Sequence, residues 1–265
     1  GYKFVAKLSL SNVTLRIPIR NPSDNSLKSL IQKKIKEKKK RIMKTSSIVG
    51  GALNKINEVN YVTALDCINL KLSDGDKLGI IGHNGSGKTT LLKLMAGVYQ
   101  PTFGECKSDG DIYTIFTSSI GMDMDLNGIE NIKLRCIMHG KNLNQIKDIE
   151  KNVVDFCELG EFINFPLRTY SSGMLIRLSF ALSTAFNSDI LLIDENLDAG
   201  DITFKNKSQI RVEKFLESSG ILVIVSHSMD TIQKFCTKCL LLEKGKIIFS
   251  GNTKSAIENY QSRYK

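Results

Sequence analysis

The segment from residue 78 to residue 95 constrains the fold of this chain more than any other. An apolar strand pattern at 78–81 continues directly into a glycine-rich loop, and apolar positions at helical spacing follow it. The loop residues are Gly82, His83, Asn84, Gly85, Ser86, Gly87, Lys88, Thr89 and Thr90. Glycines allow successive backbone N–H groups to point at phosphate oxygens, and a helix that begins at Lys88 adds the positive end of its dipole. The segment therefore predicts a nucleotide phosphate loop, in which Lys88 reaches the β and γ phosphates and Thr89 ligates Mg²⁺.

The rest of the chain predicts an α/β fold. Strand patterns occur at 8–19, at 61–65 paired with 68–72, at 112–116, 190–193, 221–225 and 240–242, and at 247–249 after a turn at 244–246. Residues 45–60 form a polar, glycine-containing connector, and residues 120–182 are mostly helical in pattern. Strands that alternate with helices predict a mainly parallel sheet that is covered on both faces.

Composition excludes several other classes of protein. The chain is 42% hydrophobic and 24% charged, which is typical of a globular protein and not of a disordered one. No apolar run approaches the roughly 20 residues that span a bilayer, and no secretory signal is visible, so we expect a cytoplasmic location. The six cysteines are scattered, which favours reduced thiols. We interpret Cys236 and Cys239 as packing residues, because no second pair accompanies them.

Positive charge is concentrated near the N-terminus. Residues 20–44 carry ten basic and two acidic side chains, a net charge of +8, whereas the whole chain carries +10. Apolar residues recur near helical spacing among these lysines, so we predict a basic amphipathic helix at about 27–40. Such a helix can lie against an anionic membrane surface through residues 27–44, or it can be an ordinary solvated helix.

Polar residues follow two of the predicted strands. Asp194 and Glu195 come directly after the strand at 190–193, and His227 comes two residues after the strand at 221–225. Ligands collect at the carboxyl ends of strands in open α/β sheets. We expect Asp194 to bind Mg²⁺, Glu195 to orient the water that attacks the γ phosphate, and His227 to donate a hydrogen bond to that phosphate. A structural histidine is the alternative interpretation of His227.

A second anion-binding helix start is predicted at 171–173. Ser171, Ser172 and Gly173 precede an apolar helical pattern, and a helix N-terminus attracts anions. A simple capping motif is the alternative interpretation.

These motifs, in this order, resemble the nucleotide-binding subunit of an ATP-binding cassette (ABC) transporter, with 170–174 as a variant of the LSGGQ signature. The resemblance covers about residues 8–260. It implies one P-loop NTPase domain over 1–265: an N-terminal antiparallel β subdomain with the basic helix (1–78), a RecA-like core (79–116 and 183–265) and a helical subdomain with the signature (about 117–182). It also implies ATP and Mg²⁺ as cofactors and ATP hydrolysis as the activity.

The resemblance further implies a homodimer in which ATP lies between the phosphate loop of one copy and the 171–173 segment of the other. Asp201 matches the D-loop that contacts the second copy. Tyr61 matches the aromatic residue that stacks on adenine, although an ordinary strand tyrosine is an alternative.

Three features narrow the resemblance within the family. They are the Tyr-Ser-Ser-Gly-Met signature, the Asp-Glu-x-Leu-x-x-Gly-Asp run at 194–201 and the Pro-Ile-x-Asn-Pro stretch at 18–22. Gly128-x-Glu130-Asn131 adds to them. Together they resemble ATPase subunits that export lipid-linked polysaccharides of the O-antigen, capsule or teichoic acid type. Such subunits lie peripherally on the cytoplasmic face of the inner (plasma) membrane, bound to an integral membrane permease.

One departure from the family concerns its mechanism. Most members place a glutamine after the strand at 112–116, but this chain has Thr117, Ser118 and Ser119 there. Either a hydroxyl replaces the glutamine or coupling to the membrane subunit works differently. Two alternatives stay open: an ABC ATPase with another cargo, and a soluble ABC ATPase that acts on nucleic acid or ribosomes. The single phosphate loop argues against the second, so we expect no nucleic acid partner.

Overall fold

The computed structural model describes residues 5–18, 52–56, 59–115, 122–186, 188–194 and 202–264. Within them the chain divides into two compact units. The first, which we call the helical unit, comprises Gly1–Ala6, Ser73–Lys77 and Gly110–Cys236. The second, the loop unit, comprises Lys7–Leu72, Leu78–Asp109 and Thr237–Lys265. No helix in the described ranges is long and apolar enough to cross a bilayer.

The loop unit contains an antiparallel sheet of four strands in the order β2-β3-β1-β5. These are β1 (Lys7–Pro18), β2 (Ala52–Ile56), β3 (Val59–Ser73) and β5 (Phe103–Asp109). Strand β1 alternates over its first five residues, with Leu8 and Leu10 almost fully buried, and its register with β5 shifts between Ser11 and Thr14. Strand β5 pairs antiparallel with β1.

Two predictions in this region are wrong. The predicted strand pair at 61–65 and 68–72 is one continuous strand, β3. Cys67 interrupts its alternation with a left-handed φ of 51°, and its N–H donates to Thr14 Oγ1 at 3.1 Å, so the strand continues past it. The predicted connector at 45–60 contains the strand β2, which pairs antiparallel with β3. The five residues of β2 show no alternating pattern, so the strand depends on its pairing with β3 and could not be predicted from the sequence.

The loop unit also contains a three-stranded group that carries the phosphate loop. Strand β4 (Lys77–Ile81) pairs parallel with β9 (Lys238–Glu243), which pairs antiparallel with β10 (Lys246–Asn252). Helix α1 (Lys88–Met95) follows the loop, and α7 (Thr253–Tyr264) follows β10. Leu91, Leu92, Leu94 and Met95 are all buried, which confirms the apolar helix face expected at these positions.

The helical unit combines a parallel sheet with most of the helices. Strands β6 (Ile112–Ile115), β7 (Ile190–Asp194) and β8 (Ile221–Val225) pair in parallel, and β7 and β8 are buried almost throughout, as their apolar runs predict. The helices are α2 (Gly128–Met138), α3 (Leu143–Cys157), α4 (Ser172–Ser183), α5 (Ile202–Ser218) and α6 (Met229–Phe235). The predicted helical character of 120–182 is therefore correct for 122–182, whereas residues 120 and 121 lie outside the described residues.

Candidate nucleotide site

The phosphate loop lies between β4 and α1, as the sequence predicts. Gly85 and Gly87 have left-handed φ angles of 77° and 104°, and α1 begins at Lys88. Successive left-handed and helical residues turn their N–H groups toward one concavity, which suits an anion. Asn84, Gly85 and Thr89 are exposed, so a ligand can reach the loop from solvent. The backbone conformation therefore fits a polyphosphate.

The side chain of Lys88 is held inside the loop. Only 7% of this residue is exposed, and its Nζ donates to Gly82 O at 2.8 Å and to His83 O at 3.1 Å. A buried ammonium group needs such acceptors, because desolvation of an unpaired charge is costly. Its position at the centre of the loop fits the predicted contact with phosphate oxygens.

Gly82 and Ser86 form the closely packed inner side of the loop. A Cβ on Gly82 would lie 2.3 Å from Leu242 O and 2.7 Å from Ser86 Oγ, so no other residue fits there. Ser86 is fully buried, and its Oγ has no hydrogen-bond partner among the described residues. The loop is therefore packed against β9 on one side and open to solvent on the other.

Tyr61 lies in a row of side chains that crosses three adjacent strands of the antiparallel sheet. The guanidinium of Arg16 on β1 lies 5.0 Å from the Tyr61 ring centroid and 4.8 Å from the ring centroid of Phe103 on β5. Cation–π contacts of this kind fix the orientation of an aromatic ring. Arg16 and Phe103 were not predicted, because nothing in the sequence places them beside Tyr61. The adenine contact of Tyr61 remains a prediction.

Asp194 and His227 lie at the carboxyl ends of two adjacent parallel strands of the helical unit. Asp194 is the last residue of β7 and pairs in register with Val225, the last residue of β8, and His227 follows two residues later. His227 is exposed, whereas Ser226 is buried and its Oγ accepts from Ser228 N at 3.0 Å. The structure therefore places Asp194 and His227 at one edge of this sheet, as predicted. Glu195 and Asp201 lie outside the described residues, as do 27–44 and 116–121.

The start of α4 has the geometry of a helix cap. Ser171 Oγ accepts from Met174 N at 3.3 Å, and both Ser171 and Ser172 are exposed. Outside its own helix backbone and chain neighbours, the nearest atom to a Cβ on Gly173 would be Ser171 Oγ at 4.0 Å, so a side chain would fit at this position. The capping interpretation is correct; an additional contact of this segment with phosphate remains a prediction.

Tyr170 fixes the residue before that cap. Its hydroxyl donates to Phe162 O at 2.7 Å, and burial raises its pKa to about 12, so the hydroxyl remains protonated and able to donate. A Cβ on Gly128 would lie 2.9 Å from Tyr170 Oη and 2.5 Å from Ile163 Cδ1. Because Gly128 has no side chain, the start of α2 can pack closely against Ile163 and Tyr170.

The Gly-x-Glu-Asn motif, which the sequence offered only as a subfamily marker, has a structural role. Asn127 and Glu130 form a reciprocal capping box at the start of α2. Asn131 is 2% exposed, and its amide nitrogen donates to the carbonyls of Asp123, Leu126 and Asn127. The spacing of Asn127 and Glu130 was the signal that could have predicted the cap, whereas the role of Asn131 required the structure.

Arg211 on α5 holds the C-terminal end of α4, the helix that begins within the signature segment 170–174. It donates to Thr184 Oγ1 at 2.6 Å and Ala181 O at 3.1 Å, both at the C-terminal end of α4, and to Asn152 Oδ1 on α3 at 2.7 Å. Its guanidinium also lies 4.2 Å from the Phe156 ring centroid. Burial lowers the pKa of Arg211 to about 10, so it remains charged at neutral pH and favours the negative end of α4. Sequence reasoning did not identify this residue.

Comparison with known proteins decides the family. A family profile described as ABC transporter matches residues 65–198, which is half of the chain. The chain belongs to the ABC transporter family. Its recognised segment begins in β3, contains the whole phosphate loop and continues to the carboxylates after β7. The resemblance drawn from the motifs is thereby confirmed.

Similar ABC proteins of known designation are export subunits. The chain is 39% identical to the O-antigen export system ATP-binding protein RfbE of Yersinia enterocolitica, over 92% of this chain and 97% of the relative. It is 37% identical to the teichoic acids export ATP-binding protein TagH of Bacillus cereus, over 87% of this chain and 42% of that protein. The chain thus spans nearly all of the first relative but less than half of the second.

Solved ABC structures show the same fold. A dimeric ATP-binding cassette in a post-hydrolysis state, bound to ADP and phosphate, aligns with a TM-score of 0.63 at 21% identity, over 93% of this chain and 98% of that one. An ATP-binding subunit of an ABC transporter aligns with a TM-score of 0.65 at 15% identity, over 97% and 95% of the two chains. The predicted α/β fold of the P-loop ABC type is therefore confirmed.

Proposed function

We propose that this ABC chain is the ATP-hydrolysing subunit of an exporter for a lipid-linked polysaccharide. The observation that carries the proposal is the phosphate loop, with Lys88 buried in it at hydrogen-bond distance from the Gly82 and His83 carbonyls. The match to an O-antigen export subunit over 97% of its length supports the cargo class. Teichoic acid and capsule-type polymers belong to the same chemical class. An ABC ATPase for another cargo is the alternative.

The proposed reaction is attack of water on the γ phosphate of ATP, which gives ADP and phosphate. Lys88 would bind the β and γ phosphates, Glu195 would orient the water and accept its proton, and His227 would donate a hydrogen bond to the γ phosphate. Thr89 and Asp194 offer the hydroxyl and carboxylate oxygens that Mg²⁺ prefers, and the bound ion would neutralise charge on the phosphate oxygens. Most of the catalysis would come from positioning and charge neutralisation.

The proposed functional unit is a homodimer. The start of α4 is capped, and Ser171 and Ser172 are exposed, which leaves it accessible to the ATP bound by a second copy. Asp201 would lie at that dimer interface, and Tyr61 would stack on the adenine. We also propose the subdivision of the domain into a β subdomain (1–78), a RecA-like core (79–116 and 183–265) and a helical subdomain (about 117–182).

Partners and location follow from the proposed cargo. An exporter needs a membrane permease, which this subunit would bind peripherally on the cytoplasmic face of the inner membrane. The net charge of +8 over residues 20–44 suits an anionic leaflet or a pyrophosphate-linked headgroup. Replacement of Lys33, Lys34, Lys38, Lys39 and Lys40 by Gln should reduce binding to vesicles that contain anionic lipid. Unchanged binding, with the permease absent, would refute a membrane role for this segment.

The enzymatic part of the proposal is tested by two variants of the purified protein. Lys88→Ala should abolish ATP binding and hydrolysis together, whereas Glu195→Gln should bind ATP and lose at least roughly 100-fold in turnover. Calorimetric titration and phosphate release measure the two properties separately. Turnover near that of the wild type in Glu195→Gln would remove Glu195 from the proposed catalytic role.

The cargo is tested in cells whose own copy of the gene is replaced by each variant. Export should stop, so lipid-linked polysaccharide should accumulate inside the cell and disappear from its surface. Surface polysaccharide at the wild-type level in Lys88→Ala cells would overturn the cargo assignment even if the purified protein hydrolyses ATP.

A further inference from the structure

The turn between β9 and β10 contacts the inner side of the phosphate loop through Gly245. Its N–H donates to Ser86 O at 2.9 Å, and its carbonyl accepts from Asp66 N at 2.8 Å. A single residue of the turn is therefore hydrogen-bonded both to the loop and to β3. Lys246 adds an ion pair with Asp66 at 3.1 Å. We infer that Gly245 is a positioning residue for nucleotide binding, which fixes the phosphate loop at Ser86 without touching the nucleotide.

Gly245 has this role because no side chain fits at its position. It is buried and has a left-handed φ of 76°, next to Lys244 at 46°. Two consecutive left-handed residues are typical of the tight turn that joins antiparallel strands. A Cβ on Gly245 would lie 2.5 Å from Ala64 O, 2.9 Å from Ala64 C and 3.1 Å from Leu65 Cα. All three are backbone atoms of β3, so they cannot rotate away as a flexible side chain could.

The same carbonyl of Ala64 also borders the loop itself. A Cβ on Gly87 would lie 3.0 Å from Ala64 O, so β3, the turn and the loop meet at one point. Because the backbone of β3 is fixed in the antiparallel sheet, a side chain at 245 must displace the turn. Displacement of the turn breaks the hydrogen bond to Ser86 O, and the loop loses a fixed point next to Gly85 and Gly87, whose N–H groups form the anion cradle.

This inference rests on the proposed function of the loop as an ATP site, and ADP with Mg²⁺ is a suitable probe because it binds without turnover. Gly245→Ala should raise the Kd for ADP roughly 10-fold, as expected when one positioning hydrogen bond is lost. Gly245→Asn should do the same, because Asn tolerates a left-handed φ but still carries a Cβ.

Gly140 supplies matched controls. It also has a left-handed φ, 64°, but nothing lies within 4 Å of its Cβ position. Gly140→Ala therefore carries the same kind of backbone strain without the collision, and its Kd for ADP should equal that of the wild type. The free energy of unfolding is measured for all variants. A purely structural role for Gly245 predicts that stability falls while the Kd stays unchanged, whereas a positioning role predicts a raised Kd in the folded protein.

Hydrogen exchange of the wild type keeps the inference testable if Gly245→Ala does not fold. ADP should slow exchange at the Gly245 amide, since the turn and the loop open together, whereas the amide of Gly75, which donates to Gly220 O at 2.6 Å, should be unaffected. Unchanged Gly245 exchange on ADP binding would overturn the inference. The inference would also be overturned if Gly245→Ala folds and binds ADP as tightly as the wild type, while Lys88→Ala fails to bind ADP. If Lys88→Ala binds ADP normally, it is the proposed function of the loop that fails.

Discussion

Asn131 should be one of the most sensitive polar positions in the helical unit. Its side chain is 2% exposed and makes four hydrogen bonds, three donated to the Asp123, Leu126 and Asn127 carbonyls and one accepted from Asp123 N at 2.8 Å. These bonds fix the segment that leads into α2. Replacement by alanine would leave the three carbonyls without this donor and Asp123 N without this acceptor. The site is buried, so water does not fully replace the lost hydrogen bonds.

The magnitude follows from those bonds. A hydrogen bond contributes about 1 kcal/mol net, and two amide hydrogens are shared among three carbonyls, so Asn131→Ala should lower the free energy of unfolding by about 3 kcal/mol. That is a large part of the roughly 5–15 kcal/mol that stabilises a typical domain. Urea denaturation followed by circular dichroism measures the loss. Asn164→Ala is the control: Asn164 is exposed, so its replacement should change stability by no more than about 0.5 kcal/mol.

Asn131→Asp gives a second, independent test. The carboxylate can still accept from Asp123 N, but it would face the three carbonyl oxygens, so the pKa of the new carboxyl group should rise on folding. A raised folded pKa means that the folded state binds the proton more tightly, so the difference in stability from the wild type should shrink as the pH falls from 7 to 5. A loss below about 1 kcal/mol in Asn131→Ala, or a pH-independent difference in Asn131→Asp, would refute the argument.

Three further substitutions test the packing around the signature segment. Tyr170→Phe should lower the free energy of unfolding by about 1 to 2 kcal/mol, because the hydroxyl loses its bond to Phe162 O and its interaction with the Gly128 backbone. Urea denaturation measures the loss, and no change would show that these interactions do not stabilise the fold. Gly128→Ala should lower the free energy of unfolding by about 2 kcal/mol, because the new Cβ would collide with Ile163 and Tyr170. Gly140→Ala is the control, since its Cβ would meet open space, and it should lower the free energy of unfolding by about 1 kcal/mol at most. Equal losses in the two variants would contradict the packing account. Arg211→Met should keep the contact with Phe156 and lose three hydrogen bonds, two to the end of α4 and one to Asn152 on α3, so stability should fall by about 3 kcal/mol. If ATP hydrolysis and stability are both unchanged in Arg211→Met, Arg211 does not hold α4.

The parts of the fold that could be predicted are those with a strong local pattern. The buried strands β4, β7 and β8 are short, largely apolar runs, and the helices α2 and α3 follow clear periodicity. Strand β2 was missed because its five residues, Ala-Leu-Asn-Lys-Ile, do not alternate and its order comes from pairing with β3. Strand β3 was divided in two because Cys67 breaks the alternation, although the chain continues as one strand through a single left-handed residue.

The candidate site was predicted to the same extent and for the same reason. The phosphate loop, Asp194 and His227 could be identified because each lies at or just after the end of a strand, and chain connectivity alone brings such residues to that edge of the sheet. Arg16 and Phe103 beside Tyr61, and Arg211 at the end of α4, could not be identified. Each of these contacts joins residues from different strands or helices, and a hydrophobic pattern does not show which polar side chains meet.

By itself the sequence determined the chemistry of this protein: a loop shaped for phosphate, a carboxylate and a histidine at strand ends, and the family to which these motifs belong. Periodicity and connectivity carry that information, because they fix which face of an element is buried and which residues follow it. Only the tertiary structure decided what holds the loop in place. The Ser86 carbonyl meets the amide of Gly245, and Gly82 packs against Leu242 O, through backbone groups that every residue possesses. A backbone contact between distant segments leaves no signal in the sequence except a glycine where no side chain fits. The glycine by itself does not show which neighbouring segment packs against it.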